Sequence, residues 1–160
     1  MDCISTRIPY RQTNSFSKTV LDYLDNTEAL KPFYIHAPTS QGIKRAMRER
    51  KDVATNRELL REKLKKQYAG AAIKKKKKSN IDSLLSADTF TITTAHQNNI
   101  FTGPMYFIYK IIHTIRLADH LKALMPSCNF VPVFYIGSED ADLDELNHIH
   151  LGGEKLIWNT

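Results

Sequence analysis

The stretch TTAHQNNIFTGPMYFIYK, residues 93–110, joins the end of a strand to the start of a helix through a polar loop. The strand is predicted in DTFTITTA, residues 88–95, because its β-branched residues occupy both faces, as in a central strand of a parallel sheet. The TGP sequence at 102–104 predicts the helix start, since proline at the first helical position has no N–H to leave unpaired. We expect the helix to run to about Met125, where Pro126 stops it.

A second buried strand is predicted in NFVPVFYIGS, residues 129–138. Strand, helix and strand follow one another over roughly 45 residues, which predicts a right-handed βαβ unit. Residues 147–160 then predict a hairpin that turns on Gly152-Gly153. Residues 88–160 are therefore expected to form the first, incomplete part of an α/β core with a parallel sheet.

Residues 1–87 have helical patterns instead and are predicted to form a separate, mainly helical segment. It should contain a short helix in 14–26 and two further helices in 40–68. The predicted N-caps of the first and last of these helices are Asn14 or Ser15, and Thr55 or Asn56.

The net charge of +6 comes from one region. Residues 40–78 carry fifteen basic and four acidic side chains, whereas residues 79–160 carry four basic and nine acidic ones. Because five consecutive lysines repel one another, KKKKKSN at 74–80 is predicted to be a solvated loop. Its lysines could attract nucleic acid, but aromatic residues of a stacking surface are not interleaved with them, so nucleic acid is the disfavoured partner.

With 160 residues, 42% of them hydrophobic, the chain is long enough for a domain with its own core. The sequence shows neither a secretory signal nor an uncharged apolar run that could span a membrane, so no membrane partner is expected. Cys3 and Cys128 are too few for a disulfide framework. We therefore expect the chain in the reducing cytoplasm.

The polar loop lies where ligands bind in parallel α/β sheets, beyond a strand's carboxyl end and next to a helix N-terminus. It offers an imidazole from His96 and an amide from Gln97. Lys110 is under two turns into the following helix, so its side chain can reach back to the same place. These groups suit an anionic ligand, although polar loops of this kind are also commonly just solvated.

The segment GSEDADLDEL, residues 137–146, comes at the end of the second buried strand. Five of the seven residues from 139 to 145 are acidic. By the same rule, Ser138, Glu139 and Asp140 are expected at the mouth of the pocket. The carboxylates could bind an amine or hydroxyl groups, accept a proton, or hold Mg²⁺. Alternatively, Ser138 could be the N-cap of a helix whose first turn is acidic.

Two other groups of polar residues are interpreted more simply. One face of the predicted helix carries Lys110, His113, Arg116 and His120. Most such stripes face solvent, and we expect this of His113, Arg116 and His120. His148 and His150 share one face of the predicted hairpin, but no third ligand can be placed beside them, so no metal site is predicted.

Two long motifs resemble the bacillithiol-biosynthesis cysteine-adding enzymes, the BshC family, in particular its Bacteroidetes-type members. They are TTAHQNNIFTGPMYFIYKIIHTIRLA at 93–118 and FVPVFYIGSEDADLDELNHI at 130–149. Upstream, FYIHAPTSQGIKRAM at 33–47 and TNRELLREKLKKQY at 55–68 are similar to that family's N-terminal region. The resemblance therefore covers most of the chain.

The resemblance implies a Rossmann-like core related to the nucleotidyltransferases. It also implies a cysteine ligase that carries out the proposed last step of bacillithiol synthesis, in which cysteine is joined to the amine of glucosaminyl-malate. Because members of the family are much longer, the chain is expected to be an N-terminal fragment that is inactive alone. The cofactor is not specified, with ATP as the candidate, and a homodimer of the full-length enzyme is a further hypothesis.

The resemblance also implies roles for individual residues. The matching positions are Thr94, His96 and Gln97 in the polar loop, Gly103, Tyr106 and Lys110 at the helix start, and Ser138, Glu139 and Asp140 in the acidic loop. By resemblance, Glu139, Asp140 and His96 are the catalytic candidates, and the other six bind substrate or nucleotide. In two places the sequence departs from the family: Asn98 stands where proline is usual, and many members have glutamine where His96 stands. The second departure favours a binding or polarising role for the imidazole.

Two other classes of function fit parts of the sequence. A Mg²⁺-dependent phosphoryl- or nucleotidyl-transfer enzyme would use the carboxylates at 139–145 and would require metal but not cysteine. A nucleic-acid-binding module would use residues 44–78, and its binding would weaken steeply with salt.

Overall fold

The computed structural model describes residues 4–72, 74–99, 103–140 and 142–159. The chain divides into two compact units, residues 1–54 and residues 55–160. Within the described residues, the first unit contains helices only, and all the strands lie in the second. The predicted boundary between residues 87 and 88 falls inside the second unit, where the helices before the sheet group with it.

The described part of the first unit consists of α1 (Tyr10–Thr13), α2 (Lys18–Leu24), a 3-10 helix (Glu28–Phe33) and α3 (Ser40–Lys51). Ser17 is the N-cap of α2, because its side-chain oxygen accepts a hydrogen bond from the Val20 N–H. The predicted caps Asn14 and Ser15 were wrong. Asn14 instead ends α1 in the left-handed conformation, with φ of 53°, so the chain turns there before the next helix begins.

Two helices, α4 (Arg57–Gln67) and α5 (Lys75–Ser83), precede the sheet in the second unit. The predicted start of α4 at Asn56 is confirmed, since its side-chain oxygen accepts the Leu59 N–H at 2.9 Å. The solvated loop predicted at 74–80 was wrong, because α5 occupies most of that segment.

Contacts at the C-terminal end of α5 explain why the lysine run is helical. Asp82 accepts hydrogen bonds from Arg61 Nε at 2.9 Å and from Lys65 Nζ at 2.7 Å, which tie α5 to α4. Ile81 and Leu84 are buried beside it. Lysine is itself a good helix former, and its charged ends at the start of α5 remain in water, so these contacts outweigh the repulsion.

The strands β1 (Thr89–His96) and β2 (Asn129–Ile136) form a parallel pair, in register from Thr89 opposite Asn129 to His96 opposite Ile136. They are connected by α6 (Met105–Leu124), which packs against both strands. The α/β class, the order strand–helix–strand and the preceding helices are therefore confirmed. The Thr102 part of the predicted helix start lies outside the described residues.

The core of the second unit lies between α6 and the two strands. Thr114, Ala118 and Leu121 are buried at spacings of four and three, which places them on one face of α6. The buried side chains of the strands include Phe90 and Phe130, whose rings stack with centroids 6.1 Å apart. Burial of each large apolar side chain contributes roughly 1.5–3 kcal/mol, so this layer fixes the strand register.

The outer face of α6 is also apolar. Its exposed side chains there are Met105, Ile108, Tyr109, Ile112 and Ile115, between 39% and 70% exposed. Over its first three turns α6 is therefore apolar on two faces, which is typical of a helix that lies between two layers of structure. The predicted polar stripe at Lys110, His113, Arg116 and His120 is exposed, as expected of its last three residues. No helix in the described ranges is long and apolar enough to cross a membrane.

The predicted hairpin is confirmed. β3 (His148–Leu151) pairs antiparallel with β4 (Glu154–Ile157), and the two are joined by Gly152 and Gly153. Both glycines have positive φ, 60° and 88°, a backbone geometry that matches the twist of the flanking strands and that other residues adopt only with strain.

The contacts of Asp82 predict how stability responds to acid. Hydrogen bonds from Lys65 and Arg61 hold the pKa of Asp82 below its ordinary value. Its stabilising contribution is therefore present above the ordinary carboxyl pKa of about 3.9 and is lost as pH falls through the lower folded value. We expect Asp82→Asn to be less stable than the wild type at neutral pH, with a difference that shrinks on acidification. Urea unfolding followed by circular dichroism at several pH values measures it.

The matched control is Asp119→Asn, which removes an exposed carboxylate of α6 that has no ion pair within the described part of the chain. It should change neither the stability at neutral pH nor its dependence on acid. A stability difference for Asp82→Asn that stays constant across the pH range would contradict the assignment.

Candidate functional site

The carboxyl ends of β1 and β2 lie side by side. His96 and Ile136 are the last paired residues, and the Gly137 N–H donates to the His96 carbonyl oxygen at 2.9 Å. The polar loop after β1 and the acidic loop after β2 therefore start from neighbouring positions. This is the edge at which parallel α/β sheets place their ligands.

His96 is held at both ring nitrogens. Its Nε2 lies 2.9 Å from the Tyr106 hydroxyl, and its Nδ1 lies 3.1 Å from the Gln97 carbonyl oxygen and 3.0 Å from the Asn99 side-chain nitrogen. Either neutral tautomer fits: a protonated Nδ1 donates to the carbonyl, or a protonated Nε2 donates to the phenol. The Phe107 ring packs edge-on against the imidazole, with centroids 5.6 Å apart. The half-buried imidazole is thus oriented, with the exposed Tyr106 hydroxyl as its neighbour.

Gly103 allows the polar loop and α6 to approach closely. Its φ is 60°, and a Cβ built on it would lie 2.6 Å from the Asn99 side-chain carbon Cγ. Any other residue would meet both strain and a clash, so glycine is required for the loop to close against the helix start. The glycine predicted to bind substrate therefore has a structural reason for being there.

Lys110 does reach back to the strand end. Its Nζ donates to the Ala95 carbonyl oxygen at 3.3 Å and lies 5.4 Å from the centroid of the Tyr106 ring. The ammonium group therefore lies at the end of β1, one residue before His96, and supplies positive charge to this edge of the sheet.

Gln97 is buried, and its side chain points across to the acidic loop. Its Oε1 accepts the Asp142 N–H at 3.0 Å. The side chain therefore joins the two strand-end loops.

Thr94 is half-buried within β1, opposite Phe134, two residues before His96.

In the acidic loop, Ser138, Glu139 and Asp140 are all exposed. The alternative reading of Ser138 as an N-cap was wrong: α7 (Leu143–Leu146) begins later, with Asp142 as its cap, because the Asp142 side chain accepts the Asp144 N–H at 3.0 Å. A backbone turn precedes it, closed by the Asp140 N–H donating to the Gly137 carbonyl at 3.4 Å.

Glu139 has a partner that the sequence did not suggest. The Tyr135 hydroxyl donates to Glu139 Oε1 at 2.9 Å. This hydrogen bond, together with the nearby negative charge, raises the pKa of Tyr135. In the sequence, only the spacing of four residues between a tyrosine and a carboxylate indicates this hydrogen bond. That spacing is too common to predict a contact.

A cleft of about 580 Å³ adjoins the start of α6. Its lining residues are Gly103, Pro104, Met105, Tyr106, Ile108, His148, Ile149 and His150. The rings of His148 and His150 lie 5.5 Å apart, which confirms that they share a face of the hairpin. That this hairpin and the start of α6 line one cleft was not predicted, because no local pattern indicates contacts between these distant segments. Among the residues that the structure describes, no three metal-ligating side chains are grouped to hold an ion.

The strand–helix–strand unit, with polar loops at the carboxyl ends of its strands, defines a Rossmann-like α/β domain. Residues 1–160 match the family described as "Bacillithiol biosynthesis BshC, N-terminal Rossmann-like domain", and the chain belongs to this family.

Several relatives carry the name "Putative cysteine ligase BshC". The one from Flavobacterium psychrophilum is 43% identical over 162 residues, which cover 99% of this chain and 30% of the relative. The one from Flavobacterium johnsoniae is 44% identical over 160 residues, with the same two coverages. The one from Bacillus cereus strain AH187 is 29% identical over 148 residues, covering 88% of this chain and 26% of the relative. The chain thus spans less than a third of the length of these relatives.

The bond between Tyr135 and Glu139 predicts a change in the titration of the tyrosine. We expect Glu139→Gln to lower the Tyr135 pKa toward its ordinary value of about 10, because the amide keeps an acceptor but loses the charge. The measurement is an NMR titration of ¹³C-labelled tyrosine. Asp140→Asn is the control, since Glu139 and not Asp140 raises the Tyr135 pKa, and an equal effect of the two substitutions would contradict the pairing.

The hydrogen bond between Tyr106 and His96 predicts a loss of stability when it is removed. Tyr106→Phe should lower the free energy of unfolding by about 0.5–1.5 kcal/mol, since it leaves the imidazole nitrogen without its partner. Tyr109→Phe makes the same change at a hydroxyl on α6 with no hydrogen bond among the described residues, and it should be neutral. Urea unfolding of the two variants checks the difference, and equal effects would contradict it.

Proposed function

We propose that this chain provides the first part of the active site of a cysteine ligase, which joins L-cysteine to the amine of glucosaminyl-malate. One observation carries the proposal: in a chain of the BshC family, Glu139 and Asp140 lie in the loop that follows β2, whose last residue is paired with His96 at the end of β1. The names of the relatives support the ligase class, and the substrates are part of the proposal.

The chemistry explains why carboxylates are needed at this place. The amine of glucosaminyl-malate must lose a proton before its nitrogen can attack the carboxyl carbon of cysteine. In the proposed step the N–C bond forms, the group that activates the cysteine carboxyl leaves with the bonding electrons, and Glu139 or Asp140 takes the proton from the amine. Both carboxylates are exposed and can meet a substrate. With ATP as the activator, the leaving group is phosphate or the nucleoside monophosphate.

The other polar groups suit the negative charge of a malate or phosphate group. Lys110 holds its ammonium group at the end of β1, and the Tyr106 hydroxyl is fixed by His96. The N-terminus of the 20-residue helix α6 adds a partial positive charge on the same side. We assign anion binding to these groups. The cytoplasmic location of the protein and the homodimer of the full-length enzyme remain predictions.

The test compares two proteins. One is the 160-residue chain, and the other is a chimera in which this chain replaces the matched segment of the Flavobacterium johnsoniae relative. Each is incubated with cysteine and glucosaminyl-malate, with and without ATP, and bacillithiol is measured by mass spectrometry. We expect product from the chimera and none from the chain alone. A folded chimera that makes no product under either condition would overturn the ligase proposal.

Substitutions in the chimera test the base. Glu139→Gln or Asp140→Asn, whichever removes the base, should lower kcat about 100-fold with little change in KM, since a positioned general base contributes 10²–10⁴-fold. Glu62→Gln, at an exposed carboxylate of α4, is the matched control and should keep full activity. Wild-type kcat in both single variants and in the double variant would contradict the assignment.

A further inference from the structure

The acidic loop is attached to the end of β1 at both of its ends. At its start, the Gly137 N–H donates to the His96 carbonyl oxygen at 2.9 Å. At its end, the Asp142 N–H donates to Gln97 Oε1 at 3.0 Å. Gly137 and Gln97 are buried, whereas Glu139 lies between these two attachments and is exposed. Two neighbouring residues of one strand end therefore hold a loop that begins more than 40 residues later in the chain.

The hydrogen bond from the Asp142 N–H to Gln97 is buried, so its loss should be costly. Gln97 is only 9% exposed, and a buried amide oxygen that loses its partner costs far more than an exposed one. Its own backbone carbonyl accepts the Asn99 side chain at 3.1 Å, which fixes the main chain beside it. Asp142 in turn caps α7 through the Asp144 N–H. The bond therefore sets where the acidic loop ends and where α7 begins.

We propose that Gln97 is a positioning residue: it binds the Asp142 amide, rather than substrate, and so fixes the acidic loop that carries Glu139 and Asp140 at the strand ends. This rests on the proposed function of the two carboxylates. A misplacement of about 1 Å at a reacting group can cost on the order of 100-fold in rate, so loosening one end of the loop should act mainly on kcat. A residue that bound substrate directly would act on KM.

The neutral amide is the suitable acceptor at this position. The described loop and the start of α7 already carry the carboxylates of Glu139, Asp140, Asp142 and Asp144. Glutamate at position 97 would keep an oxygen for the Asp142 N–H, but it would add one more negative charge close to them. Nearby negative charge raises carboxylate pKa values, so the carboxylates would need a higher pH to act as bases.

The first test measures the loop directly, without any reaction. In the 160-residue chain, Gln97→Met removes the acceptor at nearly constant shape, and Gln97→Glu keeps it. We expect the Asp142 amide to exchange with solvent at least tenfold faster in Gln97→Met, and close to the wild-type rate in Gln97→Glu. Gln67→Met, the same change at an exposed position of α4, should leave it unaffected. Unchanged exchange in Gln97→Met would overturn the attachment.

The second test uses the chimera with cysteine, glucosaminyl-malate and ATP. Gln97→Met should lower kcat at least tenfold with KM nearly unchanged. Gln97→Glu should recover activity, with the acidic limb of its pH profile displaced to higher pH. A rise in KM at constant kcat would overturn the positioning role and make Gln97 a substrate ligand. If the wild-type chimera gives no product, the ligase proposal fails, while amide exchange still decides whether Gln97 holds the loop.

Discussion

One backbone hydrogen bond, from the Gly137 N–H to the His96 carbonyl oxygen, continues the pairing of β1 and β2 beyond the last residues of the sheet. It depends on the register of the eight paired positions, which the buried rings of Phe90 and Phe130 help to fix. A slip of one residue would turn each side chain to the opposite face and separate the two loops. The apolar core therefore determines how the polar groups at the strand ends are arranged.

The polar groups at this edge are held mostly by one another. The imidazole of His96 is fixed by Tyr106 and Asn99, and the carboxylate of Glu139 by Tyr135. Lys110 is anchored on a strand carbonyl. Groups that are oriented in advance do not have to reorganise as charge develops during a reaction, which is the main electrostatic advantage of an enzyme site. In the described residues, the side chains at the strand ends are oriented by one another in this way.

Local patterns in the sequence predicted the elements that are determined by interactions within a few residues. The two parallel strands, the helix between them, the double-glycine hairpin and the Asn56 cap each have a signal within a few residues. The helix α5 was not predicted, because repulsion among consecutive lysines was the only effect considered. The helix is stabilised by Asp82, which pairs with Arg61 and Lys65 of α4. The bonds of Gln97 to Asp142 and of Tyr135 to Glu139 depend on strand register and loop path, which no short motif contains. The sequence thus predicted which loops meet at the carboxyl ends of the strands, and tertiary structure determined which of their residues contact one another.

The apolar outer face of α6 has a consequence for protein synthesis in the longer relatives. The elements β1, α6 and β2 are consecutive, so they can assemble as soon as they leave the ribosome, while most of the polypeptide is still to be made at about 5–20 residues per second. During that interval Met105, Tyr109 and Ile112 remain open to water. An apolar face that is exposed for that time makes the nascent chain prone to aggregation, because exposed apolar surfaces of incomplete chains associate with one another.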